Sequence, residues 1–313
     1  MAAAVTAAGG SMHWLTCRSI GFDSTTLLKS KIQTIRTALG IASGEPVPLA
    51  IGFIGWILDM TEPSDDPRLL AILDELPTAI WFAFSKDLGR YITQVHDHDK
   101  KHGRKTFIFA LRYAPECDCL VVQGNEAGGH GNSDAPPMFT LLQAVLRAVP
   151  SGPMIAAAGG ISSGRQIAAL LTMGAAGVVV GTRFLFTPEC EYAQEKKAVL
   201  LKADLNATVR TLAYDDVGRT NGWPPNHDGR AIRNQIMDDL NQGLSLEERI
   251  TKFDESTAKG EDSRLIIWAG VGVGLTSELK AAADVLHEMH QETIHTLKSG
   301  TRLLETSVSS ATS

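Results

Sequence analysis

From its start to about residue 186 the chain alternates short apolar runs with segments whose apolar residues recur at helical spacing, and no other feature constrains its fold as tightly. Strand-length apolar runs separated by helix-length amphipathic ones are the pattern of β/α units around a parallel sheet. Strands are expected near 11–15, 47–53, 79–84, 106–110, 119–123, 153–158 and 177–181. The helices between them include 24–39, where Leu27, Leu28, Ile32, Ile35 and Leu39 fall at helical spacing, then 66–75, 87–101, 138–149 and 162–173. Ser162 and Ser163 stand where the last of these needs an N-cap acceptor.

These seven strands are one short of the eight that close a (β/α)8 barrel. The opening Met1-Ala-Ala-Ala-Val-Thr-Ala-Ala-Gly-Gly reads as a small-residue helix ending in a glycine turn, so the sequence is expected to start past the first strand. The 110–118 connection is also shorter than the dozen or more residues a parallel crossover takes. Either the barrel is irregular there or a piece is lacking, and an open N-terminal edge is expected. After Phe186 the pattern becomes charged and amphipathic to about residue 260, with a break at Asn221-Gly-Trp-Pro-Pro-Asn-His-Asp-Gly-Arg. The expectation is an α/β chain with a TIM-barrel fold of (β/α)8 type lacking its first strand, and a helical insertion after the last strand. Its parts are a barrel over 1–186, a helical insertion or lid over 187–262, a return segment and C-terminal helix (about 277–297) over 263–304, and a disordered Ser/Thr-rich tail over 305–313.

A formal net charge of -6 gives no electrostatic reason to bind a nucleic-acid backbone or an anionic membrane. No run reaches the roughly 18 apolar residues of a membrane span, and the N-terminus has no basic region before its apolar stretch, so a cytoplasmic protein is expected. Four cysteines, at 17, 117, 119 and 190, fit neither a disulfide framework nor a zinc knuckle. His96, His98 and His102 are read as an exposed helix end and Glu126 as a solvent-facing loop carboxylate, so no metal site is expected.

Two glycine loops carry the first chemical signal: Ala158-Gly159-Gly160-Ile161 after one strand and Val180-Gly181-Thr182-Arg183-Phe184 after the next. The loops after the last two strands of such barrels commonly bind phosphate through backbone N–H groups, and glycine lets the backbone approach. The second signal is Val121-Val-Gln-Gly-Asn-Glu-Ala-Gly-Gly-His-Gly-Asn132, which puts His130 on a glycine-rich loop at the C-terminal end of a strand, where these folds keep their chemistry. Trp223 and His227 are candidates to cap that site. The Gly270-Val-Gly-Val-Gly274 run imitates a dinucleotide fingerprint, but no βαβ unit follows it, so it is read as a supporting wall.

Taken together, Gln123-Gly-x-Glu-Ala-Gly-Gly-His130, Gly159-Gly160, Gly181-Thr182-Arg183-Phe184 and Trp268-Ala-Gly-x-Gly-x-Gly-Leu275 resemble the nitronate monooxygenase (2-nitropropane dioxygenase) family. The resemblance covers most of the chain and implies a TIM barrel that binds FMN. It implies phosphate contacts from Gly159, Gly160, Gly181 and Thr182, a flavin lining from Gln123, Gly128 and Gly129, and His130 as catalytic base. The implied reaction oxidises an alkyl nitronate, or a nitroalkane, with flavin and dioxygen to a carbonyl compound and nitrite. The sequence departs from the family at its start, which lacks a Gln-Gly-Pro-Met-like turn, and at Gly52, where the family places asparagine. The alternatives are an FMN-dependent tailoring oxidoreductase or reductase of secondary metabolism using NAD(P)H, and a flavin-binding barrel without turnover.

Overall fold

The computed structural model describes residues 23–112, 114 and 116–308; the strand and helix expected before residue 23 lie outside them. The chain opens with α1 (Thr25–Ala38), whose N-terminus Ser24 caps by accepting from the Leu27 N–H. Leu28, Ile32 and Ile35 form its buried stripe, and each such side chain contributes about 1.5–3 kcal/mol through burial. There follow β1 (Val47–Ile54), α2 (Gly55–Thr61), α3 (Leu69–Leu73), β2 (Pro77–Ala83), α4 (Gly89–His102), β3 (Phe107–Ala110), β4 (Cys119–Gln123), β5 (Gly129–Asn132), α5 (Met138–Ala148), β6 (Met154–Ala158), α6 (Gly164–Thr172) and β7 (Gly177–Val179).

Six of these strands form one sheet in the order β1-β2-β3-β4-β6-β7, and every pairing in it is parallel. With helices packed on it, this is a partial TIM barrel, open among the described residues, as the strand count implied. The strands are apolar almost throughout because both faces are covered. Ile80 and Phe82 of β2 pack outward with Ile51 and Ile108 beneath the helices. Trp81 and Ala83 point the other way, joining Cys119, Val121, Ala156 and Ala158 on the inner face.

The short 110–118 connection does join adjacent parallel strands, with no helix among its described residues. Phe109 pairs with Cys119 and Ala110 with Leu120, so the chain descends less than the length of β3. A four-residue strand spans roughly 13 Å, well inside the reach of the eight residues that return. Asp118 fixes the return by accepting from the Ile108 N–H at 2.9 Å while its own N–H donates to the Ile108 carbonyl at 3.0 Å.

Beyond β7 a 3-10 turn (Thr182–Phe186) leads to α7 (Gln194–Leu201), β8 (Thr208–Thr211), α8 (Ala213–Gly218), β9 (His227–Ile232), α9 (Gln235–Asn241) and α10 (Leu246–Ala258). The segment expected to be a helical insertion with one polar break therefore also holds two strands. β8 and β9 pair with each other and β9 with β5, in an antiparallel sheet ordered β5-β9-β8. β8 is half-buried and β9 buries Gly229, Ala231 and Ile232, and neither sequence shows the regular alternation that marks a strand. A second 3-10 turn (Val271–Leu275) precedes α11 (Ala282–Val308), which begins and ends later than expected; residues 305–308, read as tail, are helical. Among the described residues no helix is long and apolar enough to cross a membrane.

Candidate active site

The turn leaving β4 becomes β5, and the pairing of His130 with Gly229 carries the histidine over the C-terminal end of the parallel sheet. Three side chains brace this turn from outside it. Gln123 Nε2 donates to the His130 carbonyl at 3.2 Å, Arg210 Nη2 to the Gly131 carbonyl at 3.1 Å, and Arg230 Nη2 to the Asn125 carbonyl at 2.8 Å. Burial, and then Arg210 opposite it on the sheet, hold the Arg230 guanidinium below its ordinary range.

His130 Nε2 lies 2.9 Å from both carboxylate oxygens of Asp215, which has no exposed surface. Asp215 Oδ1 also accepts from Thr220 Oγ1 at 2.7 Å and Trp223 Nε1 at 3.0 Å. An ionised carboxylate only accepts, so a neutral His130 donates Nε2–H to it and keeps its lone pair on Nδ1. Asp215 was absent from the sequence reading.

Aromatic walls enclose the imidazole. The Trp223 ring stacks on it with centroids 3.5 Å apart and planes at 8°, and Trp268 packs against it at 4.6 Å. Trp56, following β1, and Phe84, following β2, meet Trp223 edge-on at 5.7 and 5.2 Å, while His227 meets Phe84 at 5.6 Å. Phe84 holds φ +62, a left-handed backbone that costs a bulky residue on the order of 1–3 kcal/mol. Its carbonyl accepts from the Trp56 N–H at 3.0 Å, which ties the two walls together. Trp223 thus covers the imidazole, and His227 packs on Phe84.

The glycine loops lie side by side, because Ala158 pairs with Val179 at the ends of β6 and β7. Ser163 caps α6 in a capping box with Gln166. Gln166 Oε1 accepts from Ser162 and Ser163, and Glu292 from the Gly164 N–H. Among the described residues, the N–H groups of Gly160 and Ile161 and, in the next loop, of Gly181 and Thr182 donate to no protein acceptor. Gly159 and Gly160 need glycine for φ values of +122 and +69. Gly181 does not: its φ is -107, and a Cβ there would meet nothing within 4 Å. Both loops therefore offer free donors, and Gly181 adds open space, which fits a phosphate.

The other expected contacts divide. Gly129, with φ +70, faces open space. A Cβ on Gly128 would stand 2.3 Å from the Gly270 nitrogen, so that glycine admits the 268–275 segment against the turn. Thr182 Oγ1 accepts from the Gly270 N–H at 2.8 Å, which makes the Gly270–Gly274 run the supporting wall it was read as. Two readings are corrected. The Glu126 carboxylate does not face solvent; it accepts from the Met138 N–H at 2.9 Å, at the start of α5, where an anion suits the helix dipole. His98 is buried rather than part of an exposed helix end, although His96 and His102 are exposed. Burial pushes the Cys119 thiol up to about 11 and the Cys117 thiol up as well, so neither supplies a thiolate near neutral pH.

Comparison with solved structures shows the fold. The chain superposes on FabK from Thermotoga maritima with a TM-score of 0.73 at 21% identity, covering 96% of this chain and 90% of that one. It superposes on nitroalkane oxidase from Streptomyces ansochromogenes at 0.70 and 21% identity, covering 95% and 92%. Both show a TIM-barrel architecture, of which this chain displays a part. In sequence, the family model described as Nitronate monooxygenase matches residues 51–292. A nitronate monooxygenase of Neurospora crassa is 28% identical over 305 residues, covering 89% of this chain and 80% of that protein. Another, of Metarhizium robertsii, is 30% identical over 273 residues, covering 81% and 75%. The chain belongs to the nitronate monooxygenase family and is an oxidoreductase. Membership implies a flavin cofactor, a small-molecule substrate and dioxygen.

Proposed function

We propose that the chain binds FMN and oxidises alkyl nitronates, and neutral nitroalkanes after removing their α-proton, with dioxygen to a carbonyl compound and nitrite. The observation that carries this reading is the buried Asp215–His130 pair beneath aromatic walls, on the sheet face that also bears the free N–H groups of Gly160, Gly181 and Thr182. Gly159, Gly160, Gly181 and Thr182 would hold the FMN phosphate, with Gln123, Gly128 and Gly129 along the ring system. When bound, the flavin supplies the electron chemistry between substrate and dioxygen.

His130 is the base in this reading. With Nε2–H held by Asp215, the Nδ1 lone pair takes the proton from the carbon beside the nitro group, and the buried carboxylate stabilises the imidazolium that forms. The protonated ring then faces the nitronate anion. The aromatic walls exclude water and fix the imidazole plane, and the 187–262 segment, which supplies Asp215 and Trp223, serves as lid.

The test is His130→Asn, assayed for bound flavin and for turnover of a neutral nitroalkane and its preformed nitronate. A general base typically contributes ~100- to 10,000-fold, and a nitronate has already lost the proton concerned. Retained flavin with a selective loss on the nitroalkane is expected. Parallel losses on both substrates, or nitroalkane turnover at the parent rate, would rule out His130 as the base.

A further inference from the structure

At the other end of the sheet three ligand-type side chains converge. Asp74 caps the C-terminus of α3 just before β2, and His98 and His102 lie in the last turns of α4 just before β3. All three therefore sit at the N-terminal ends of the strands, whereas His130 and the glycine loops follow C-terminal ends. One donor atom from each of the three lies within 4.8 Å of the others. His98 Nε2 is 3.1 Å from Asp74 Oδ1, and the His98 and His102 rings lie 4.4 Å apart. The spacing explains the pairing, since residues four apart share a helix face. His96, two residues before His98, does not join the group.

We propose that Asp74, His98 and His102 form a binding site for a divalent transition metal of the zinc class, with water completing the coordination. Two imidazoles and a carboxylate are the donor set such ions take. Tetrahedral bonds of about 2.0–2.2 Å place ligand atoms roughly 3.3 Å apart. The Asp74–His98 pair already meets that spacing, and the widest separation must close by roughly 1.5 Å. Asp74 and His102 are exposed, so their side chains are free to close it.

His98 is 9% exposed, and its Nδ1 is buried with no hydrogen-bond partner. Nε2, the nitrogen beside Asp74 Oδ1, is the ligand atom in this arrangement, and a bound ion leaves the ring proton on Nδ1. The carbonyls at the C-terminal end of α4 add a negative potential that favours a cation. Arg104, which reaches the same end, spends its donors on the Leu73 and Pro77 carbonyls at 3.0 and 2.8 Å. A bound ion would clip α3 to α4 and stabilise the fold, because the unfolded chain does not assemble the three ligands.

The experiment titrates Zn2+ into the chelator-treated full chain, with equilibrium binding and the unfolding midpoint as readouts and Co2+ absorbance reporting coordination. The expected result is one equivalent bound in the micromolar range or tighter, with a raised unfolding midpoint. His102→Ala and Asp74→Asn should each weaken binding by at least ~100-fold and remove the metal-dependent rise in the midpoint. His130→Asn should bind as the parent does, separating this site from the aromatic pocket. Millimolar binding by the parent, or unchanged affinity in both His102→Ala and Asp74→Asn, would overturn the proposal.

Discussion

Replacing Asp215 by asparagine changes little in shape and much in proton placement. Oδ1 of Asp215 accepts from Thr220 and Trp223, and Oδ2 faces His130 Nε2. The Trp223 indole can only donate, so an asparagine amide must keep its oxygen on that side and turn its NH2 toward His130. Nε2 must then accept, which moves the ring proton to Nδ1 and removes the lone pair assigned as the base. The fold keeps both Oδ1 bonds, so the stability cost should stay near ~1–2 kcal/mol. Losing a general base should lower nitroalkane turnover by ~100- to 10,000-fold, or about 3–5 kcal/mol of barrier at 1.36 kcal/mol per tenfold. Turnover of the preformed nitronate should fall less than tenfold, and bound flavin per chain should not change. Steady-state oxygen uptake on the two substrates, with flavin released and quantified for each variant, makes the comparison. Equal losses on both substrates, or no loss on the nitroalkane, would refute the tautomer argument and leave Asp215 a structural residue.

Two further outcomes follow. Gly181→Glu should fold normally, since a Cβ there meets open space, yet weaken flavin binding at least ~100-fold by replacing two charge-assisted N–H bonds of about 1.5–3 kcal/mol each with repulsion; parent-level flavin in the purified variant would reject the phosphate assignment. Gly159→Glu is the poorer probe, because φ +122 strains the fold as well. Asp239 is pushed up by burial, but its bonds to Arg264 and Lys252 outweigh that and hold its carboxyl below the usual range. Its contribution is therefore complete above the unfolded value near 3.9 and lost as pH falls through the lower folded value. Asp239→Asn should cost ~1–3 kcal/mol at pH 7, with the gap to the parent narrowing below about pH 4 in urea titrations; a gap of equal size at pH 3 would contradict this.

Where an element is dictated by local pattern, the sequence carried it. Ile80, Trp81 and Phe82 announce β2 because a strand covered on both faces is apolar throughout, and Ser163, one of the two serines expected to cap α6, opens it. His130 and the paired glycine loops were legible for the same reason, since each follows a recognisable strand. What stayed hidden depends on contacts distant in sequence. Asp215 lies 85 residues from His130 in a stretch that reads as charged helix surface, and only burial marks it. β8 and β9 are strands because each finds a partner, not because Thr208–Thr211 or His227–Ile232 alternate. Glu126 looked like a solvated carboxylate, and its helix-capping role emerges only when α5 is placed against it. Asp74 gave no hint of the two histidines that approach it across α3 and α4.

The central claim, that this barrel uses flavin and dioxygen on nitronates, is tested most directly by reconstituting the full chain with FMN and supplying an alkyl nitronate in air without NAD(P)H. The account predicts saturable nitrite release accompanied by oxygen uptake, dependent on the added FMN. A flavin-loaded protein that releases no nitrite, or that turns over only when NAD(P)H is present, would contradict it.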